Sequence, residues 1–285
     1  MAGILTYVLG GGIAKYLGHT LLYPRFWAGM LAVILLMLSS YVLKLYYDLI
    51  DASSPLRRMQ KDLDEIDQAA QRFSRPSVLL VAFTILTAGA AVTVLLIAEG
   101  AISFSGLVML GAAFLLAFFY AVPPVRLVYR GYGELVEGIL ITSLVPGLAF
   151  ILQTGDLHRL LPMLTFPLLA LFLALRLAQS LEHYARDQKL LHRTMMIAVG
   201  WQRGMQVHNI LILAAYLLLG LAAVFSLPWS LTWPGLLTLP VGLFQIIQMN
   251  QIAAGAKPSW RLLRLTSAAT FALTAYLLSL AIWTG

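Results

Sequence analysis

The chain has 285 residues, of which 60% are hydrophobic and only 11% are charged, and its mean hydropathy is +0.86. Charged residues make up roughly a quarter of a soluble domain, so this composition excludes a soluble protein and indicates an integral membrane protein. The chain contains no cysteine, which excludes disulfides, thiol nucleophiles and thiolate metal sites.

Nine apolar runs are long enough to cross a bilayer as helices, which takes roughly 20 residues each. The sequence therefore predicts an all-α bundle of nine transmembrane helices, forming one domain over residues 1–285. The first run lacks the basic start and the cleavage site of a signal peptide, so we predict that it is retained. The runs lie near residues 3–20, 27–49, 76–98, 102–122, 134–153, 160–182, 205–226, 232–253 and 262–284.

Basic residues mark one side of this predicted bundle. Fourteen of the 19 Lys and Arg residues follow the second, fourth, sixth or eighth run, which places those ends in the cytoplasm. The net charge of +7 is then a topology signal and a contact with anionic membrane lipids. A nucleic-acid partner is not expected, because no soluble domain or aromatic-basic stripe is present to bind one.

The longest connection, residues 52–75, has helical apolar periodicity among charged residues. This pattern predicts a short amphipathic helix on the cytoplasmic surface. It either covers a site below it or presents a solvated charged face.

Two polar stretches end apolar runs on the predicted cytoplasmic side. In KLYYDLID, residues 44–51, the carboxylates of Asp48 and Asp51 share one helix face. In QSLEHYARDQKLLHRT, residues 179–194, Glu182 precedes His183 and Asp187, which are one helical turn apart. Charges at such positions are costly in a membrane, so the two stretches suggest one shared polar site.

Carboxylates with basic neighbours suit a magnesium-diphosphate group, because Mg²⁺ is often held by one or two carboxylates together with substrate phosphates. An apolar chamber next to such a site would suit a hydrocarbon tail. Two alternatives stay open on this evidence: an ion site of a transporter, and structural salt bridges from Asp48 to Lys44 and from Asp187 to a neighbouring Arg. Transport is disfavoured by the concentration of polar groups at one surface, because transporters place them at the midplane on discontinuous helices.

The sequence resembles the UbiA-type intramembrane prenyltransferases over nearly its whole length. The most specific match is FFYAVPPVRLVYRGYGEL, residues 118–135, which is similar to the segment that follows the fourth helix in that family, especially in its quinone-biosynthesis branch. Arg75-Pro76 at the start of the third run and the segment from Asp187 to Gly200 also match.

The aspartate motifs depart from the family pattern. Lys44 and Leu45 occupy the places of an Asn-Asp pair, and only Asp48 keeps the next Asp of the first motif. Asp51 or an acidic residue of the following loop would be its last. In the second motif His183 holds the first Asp position and Asp187 the second. Lys44, one turn before Asp48, can pair with it and repel Mg²⁺, or it can contact a diphosphate directly.

The resemblance implies residue roles. Asp48, Asp51 and Asp187 would hold Mg²⁺ and through it the diphosphate, and would be the catalytic residues. The predicted substrate-binding residues are Lys44, Tyr47, Tyr120, Arg126, Arg130, Glu182, His183 and Arg193. Glu134 and Glu137 are interpreted as structural acids at a helix start. Arg176 lies inside a run and must face the bundle interior or extend to the membrane surface.

The implied function is transfer of a prenyl group from a prenyl diphosphate to an aromatic or quinone-like acceptor, on the cytoplasmic side of the membrane. The degenerate motifs leave a second hypothesis, a family member that binds isoprenoids as an accessory membrane protein without catalysis.

Overall fold

The computed structural model describes residues 1–52, 74–225 and 227–285, and for Asp51 and Ala52 it describes the backbone alone. The predicted amphipathic helix in the connection 52–75 therefore lies outside the described residues.

The described chain is helical apart from short connections, as the all-α prediction requires. We number its helices in chain order: α1 Ala2–Tyr16, α2 Tyr23–Ala52, α3 Arg75–Ala98, α4 Phe104–Ala121, α5 Gly133–Thr154, α6 Leu160–Glu182, α7 Tyr184–Lys189, α8 Met195–Val199, α9 Trp201–Phe225, α10 Trp229–Ala253 and α11 Trp260–Thr284.

Eight of the described helices are long and apolar enough to span a membrane: α2 to α6 and α9 to α11. Helix α1 has only 15 residues, about 22 Å of helix against a hydrocarbon core of about 30 Å. The predicted count of nine spans is therefore not reached by length, although α1 packs within the bundle.

The glycine run of α1 forms its packing surface. A Cβ on Gly10 would overlap the backbone carbonyl of Pro146 in α5, and one on Gly12 would come within 2.6 Å of the Trp283 indole nitrogen of α11. Residues without a side chain let helix backbones approach closely in membranes. The glycines weaken α1 as an isolated helix, but they allow it to pack closely against α5 and α11.

Helices α5 and α6 form the centre of the bundle. In their most apolar windows 78% and 72% of residues are buried, against 11% in α3, which lies at the edge. The largest apolar core cluster joins α6 to α1, α5, α9, α10 and α11 through residues such as Leu164, Leu168, Leu219 and Leu278. The polar side chains at the ends of α5 and α6 are therefore held by the best-packed helices.

Prolines interrupt two of the long helices. A π-helical turn, Leu140–Leu144, comes just before Pro146 in α5. Helix α10 breaks after Leu236 and restarts at Leu239, where Pro240 has no N–H to donate to the carbonyl of residue 236.

Polar side chains also form a buried cluster between α9, α10 and α11. We call it the neutral network, because its members include no Asp, Glu, Lys or Arg. The Gln245 amide donates to His208 Nε2 (2.9 Å) and accepts from the Thr270 hydroxyl (3.1 Å). Further along, Thr238 bonds to the hydroxyls of Tyr216 (2.9 Å) and Thr274 (2.6 Å). The sequence indicated a concentration of polar groups at one surface and did not predict these buried neutral groups.

Candidate functional site

A cavity of about 380 Å³ opens where one end of α2 meets one end of α6, and we call it the polar cavity. Its walls come from the ends of α2, α4 and α6, the starts of α5 and α11, and the connections after α4 and α6. Its lining consists of Lys44, Asp48, Tyr120, Val128, Tyr129, Glu134, Arg176, Gln179, Ser180, Glu182, His183, Arg186, Asp187, Leu190, His192, Thr194 and Arg264. The structure thus brings Asp48 and Asp187, predicted to share a site, to one cavity.

Asp48 of α2 is held by two cations and a hydroxyl at the polar cavity. Its Oδ1 accepts hydrogen bonds from Arg126 Nη2 at 2.7 Å and from the Tyr129 hydroxyl at 2.9 Å. Its Oδ2 lies 4.0 Å from Lys44 Nζ, one helical turn earlier on α2. The 2.7 Å bond from Arg126 is charge-assisted, and such bonds are among the stronger ones in proteins.

The connection after α4 carries two of these partners. Pro123 and Pro124 end α4, and the chain then turns through Arg126, whose φ of 41° is left-handed. A non-glycine residue there costs about 1–2 kcal/mol. A short 3₁₀ turn, Leu127–Tyr129, follows and presents Tyr129 to Asp48.

The Tyr129 ring joins the two halves of the polar cavity. It stacks on the His192 ring with centroids 3.9 Å apart, and Arg126 and Lys44 lie over it at 4.9 and 5.8 Å. Burial, and then the Asp48 charge, raise the pKa of Tyr129 well above its usual range, so the hydroxyl stays a donor.

Asp187 approaches from the α6 side. Helix α6 ends at His183, and the short α7 that follows carries Asp187, which is buried. Its Oδ1 lies 3.9 Å from His192 Nδ1. Burial raises the pKa of Asp187, while the charges of Arg186 and His183 act in the opposite direction.

Glu134 ties α5 to the connection after α6. Both of its carboxylate oxygens accept from the backbone N–H of Met195 at 3.1 Å, and one also accepts from the Ser180 hydroxyl at 3.2 Å. Met195 is the first residue of α8, so Glu134 satisfies a helix-start donor from outside that helix. This contact holds the segment that carries His192 and Thr194 against the cavity.

An ion pair between α5 and α6 joins the half-buried Arg176, which lines the cavity, to the buried Glu137. Arg176 of α6 lies 3.0 Å from Glu137 of α5, which also accepts from the hydroxyls of Tyr41 (3.0 Å) and Tyr120 (3.3 Å). Arg176 also donates to Gln179 at 3.0 Å. This network joins α2, α4, α5 and α6, and it confirms that Arg176 faces the bundle interior.

The predicted site residues fall into two groups. Lys44, Asp48, Tyr120, Glu182, His183 and Asp187 line the cavity, and Arg126 reaches it through Asp48. Glu182 is paired with Arg264 of α11 at 3.3 Å.

Other predicted residues lie elsewhere. The exposed Arg130 donates to the carbonyls of Pro124 and Val125, and its backbone forms a bridge with the exposed Arg193. Tyr47 packs edge-on against Tyr46. None of these three belongs to the described lining, so their positions do not favour the predicted contacts. The Asp51 side chain lies outside the described part of the chain.

Several residues that line the cavity or lie next to it were not predicted from the sequence to belong to the site. Glu134 and Glu137, interpreted as acids at a helix start, are buried with 5% and 6% exposure. The sequence did offer one sign of their role. Glu137 and Arg176 are opposite charges inside two apolar runs, and such charges pair with each other in membrane proteins. For Tyr129 and His192 the sequence carries no comparable sign, since their contacts depend on how two connections meet.

The carboxylates around Asp48 do not fit a divalent cation as they stand. Mg²⁺ needs carboxylate oxygens that are open to it, whereas both oxygens of Asp48 face cations or a hydroxyl donor. Among the described side chains, no group of three or more His, Asp or Glu is arranged to hold a metal ion. The predicted Mg²⁺ site is therefore not formed by the part of the chain that the structure describes.

A larger apolar groove of about 620 Å³ lies between α2, α3 and α4. It shares no lining residue with the polar cavity. Between them the Ser40 hydroxyl of α2 donates to the Ala117 carbonyl of α4 at 2.7 Å, and Leu43 packs against Ala121. This groove is thus separate from the cavity and is not the adjoining apolar chamber expected from the sequence.

Comparison with known proteins identifies the fold. Neither a scan against models of protein families nor a search of curated proteins finds a match. Among solved structures, a UbiA homologue from Archaeoglobus fulgidus bound to GPP and Mg²⁺ matches at a TM-score of 0.65 and 16% identity, covering 98% of this chain and 96% of that one. The apo structure of a UbiA homologue from Aeropyrum pernix K1 matches at a TM-score of 0.67 and 15% identity, covering 96% and 94%.

These identities are low, so the likeness shows the fold. It extends over nearly the whole chain, and this is an integral membrane protein with the fold of the UbiA homologues.

Proposed function

We propose that the protein transfers a prenyl group from a prenyl diphosphate to an acceptor within the membrane. The observation that carries the proposal is the polar cavity, where Lys44, Arg126 and Arg176 gather at the ends of α2 and α6. Cations in a cavity at the membrane surface suit a diphosphate headgroup. A protein of the same fold was solved with GPP and with DMAPP.

In the proposed reaction the diphosphate leaves with the electron pair of the allylic carbon–oxygen bond, and an electron-rich carbon of the acceptor attacks the resulting cation. The attacked carbon then loses its proton to water or to the released diphosphate. Lys44, Arg126 and Arg186 stabilise the negative charge that develops on the leaving group. On the α6 side of the cavity, His183 can donate to a phosphate oxygen, and the carboxylate of Asp187 stabilises the positive charge that develops on the allylic carbon. Glu182 holds Arg264 at the cavity. The acceptor is aromatic or quinone-like, by resemblance to the quinone-biosynthesis branch.

The resemblance to the prenyltransferases also predicts Mg²⁺ at Asp48, Asp51 and Asp187, and the Archaeoglobus fulgidus homologue was solved with Mg²⁺. The ion pairs of Asp48 do not support that role, so we route no step through a metal. We further propose that the cavity faces the cytoplasm, because most Lys and Arg residues follow helices that end on its side.

A second candidate function is isoprenoid binding without catalysis. It is favoured by one observation: Asp48, the retained aspartate of the first motif, is engaged by Arg126, Tyr129 and Lys44. An accessory protein could keep the fold and the headgroup contacts after losing turnover.

Turnover and binding assays on the full-length protein in lipid nanodiscs separate these candidates. Diphosphate release and prenyl transfer are measured with geranyl, farnesyl and geranylgeranyl diphosphate, using hydroxylated benzoates and naphthoates as acceptors. For an enzyme we expect Arg126→Gln and Asp187→Asn to lower turnover by about 10²-fold, the effect of removing one group that stabilises a transition state.

Asp156→Asn, the same change on an exposed residue beyond the far end of α5, serves as the control and should keep wild-type turnover. Binding without turnover for every acceptor would favour the second candidate. Absence of both binding and turnover would overturn the proposal.

A further inference from the structure

Asp48 occupies the position between two cations that an incoming anion would take. Its carboxylate bridges Arg126 at 2.7 Å and Lys44 at 4.0 Å, and the Tyr129 hydroxyl completes its contacts at 2.9 Å. Each of these groups can equally donate to a phosphate oxygen. Asp48 therefore satisfies, from within the chain, the same donors that a phosphate would use.

The formal charges of the cavity lining cancel. Four lining residues are Lys or Arg and four are Asp or Glu: Lys44, Arg176, Arg186 and Arg264 against Asp48, Glu134, Glu182 and Asp187. Two of the acids are engaged elsewhere, Glu134 by a backbone N–H and Glu182 by Arg264. Arg126 lies outside this lining and adds a further positive charge, so the single charge of Asp48 faces two cations, Lys44 and Arg126, and offsets one of them.

A divalent cation at Asp48 would meet unfavourable surroundings. It would have to displace Arg126 from a 2.7 Å contact while remaining next to Lys44, and both are positively charged. A phosphate in the same place meets attraction from both, and an Arg guanidinium matches two phosphate oxygens at once. His183 and Arg186 are exposed, so solvent ions screen the rest of the headgroup charge.

We infer that Asp48 is an internal counter-anion of Lys44 and Arg126, which a diphosphate headgroup displaces, so that headgroup binding requires no divalent cation at Asp48. This inference rests on the proposed function, because it describes how the same cavity takes its headgroup. It makes Asp48 a competitor of the substrate, whereas a metal ligand would be its helper.

The test is equilibrium binding of labelled geranyl diphosphate to the full-length protein in nanodiscs, with EDTA and with excess Mg²⁺. We expect wild-type affinity to change by less than about threefold between the two conditions. Asp48→Asn should tighten binding by about fivefold in EDTA, since one unit charge a few ångströms away contributes about 1 kcal/mol in a water-filled site. Lys44→Gln and Arg126→Gln should weaken it by at least that factor. Asp156→Asn, the matched change on an exposed loop residue, should leave it unchanged.

The outcomes separate this inference from the proposed function. Binding by the wild type only when Mg²⁺ is present, with loss of binding in Asp48→Asn, would overturn the inference and leave the proposed function standing. Absence of binding under both conditions would overturn both. If Asp48→Asn fails to fold, the wild-type comparison decides the question, together with displacement of geranyl diphosphate by inorganic diphosphate in EDTA, which the inference requires.

Discussion

Two polar regions lie inside this apolar bundle, and they differ in kind. The neutral network between α9, α10 and α11 consists of amides, hydroxyls and one imidazole that bond to one another, as Gln245 does with His208 and Thr270. The polar cavity is lined by charged side chains among neutral ones, and two of the charged ones, Arg186 and Arg264, are exposed. In described residues the two regions share no member.

The difference teaches which polar groups in a membrane bundle indicate function. Interhelical hydrogen bonds between neutral groups contribute only about 0.6 kcal/mol on average, so such groups can serve as structural contacts without any ligand. A charged group is far more costly in the same place and persists where it has a partner or a ligand. We therefore expect changes in the neutral network to affect stability alone, and changes in the cavity to affect headgroup binding as well.

The largest expected effect comes from Glu137→Gln, which removes the charge that faces Arg176 at 3.0 Å. Removing one partner of a buried ion pair should lower the free energy of unfolding by about 3 kcal/mol. Arg176 lines the cavity, so losing its counter-charge should preserve or tighten geranyl diphosphate binding. Thermal unfolding and equilibrium binding in nanodiscs measure the two effects.

Glu99→Gln, the same substitution on the exposed residue that ends α3, is the matched control and should change stability by less than about 0.5 kcal/mol. A Glu137→Gln protein as stable as this control would show that the buried pair contributes little to the fold.

In the neutral network, Gln245→Leu should cost about 1–2 kcal/mol of stability, because it removes the partner of His208 Nε2 and one of the two acceptors of the Thr270 hydroxyl. Affinity for geranyl diphosphate should stay within about twofold of wild type, as expected for sites without shared contacts. Gln251→Leu, at an exposed position of the same helix, controls for the change in side chain. A marked loss of binding in Gln245→Leu alone would break the distinction between the two regions.

The smallest expected effect is that of Tyr129→Phe. It removes the hydroxyl bonded to Asp48 at 2.9 Å and keeps the ring that stacks on His192. One such hydrogen bond contributes about 1 kcal/mol, so stability should fall by that amount. Tyr132→Phe, on a half-exposed tyrosine nearby, should have no effect. A loss of stability as large as that of Glu137→Gln would mean that the hydroxyl bond to Asp48 contributes more than this account assigns to it.

Much of the fold could be predicted from the sequence, because a helix that spans a membrane can be recognised by the length of its apolar run. The predicted run 160–182 coincides with α6, and most other runs agree with their helices to within a few residues. Helix α1 was harder to judge, since the glycines that weaken it as an isolated helix are explained only by the partners they touch, Pro146 and Trp283.

The candidate site could be predicted only where a charge stands out from an apolar run. Asp48, Lys44 and Asp187 do so, and the structure brings all three to one cavity. The neutral residues of the site, such as Tyr129, and those of the network, such as Gln245, do not stand out, because they become significant through contacts between distant segments. For Arg130 the resemblance to a family position did not reveal that its guanidinium turns to carbonyls of its own loop, and its contact with the substrate stays a prediction.

The most direct test of the account is a cryo-electron microscopy structure of the full-length protein with a non-reactive thio analogue of geranyl diphosphate. We predict that both phosphates lie in the polar cavity, within hydrogen-bond distance of Lys44 Nζ and the Arg126 guanidinium, with Asp48 turned away from Arg126. Phosphate density outside this cavity, with the contact between Asp48 and Arg126 still at 2.7 Å as it is here, would contradict the claim that the ends of α2 and α6 receive the headgroup.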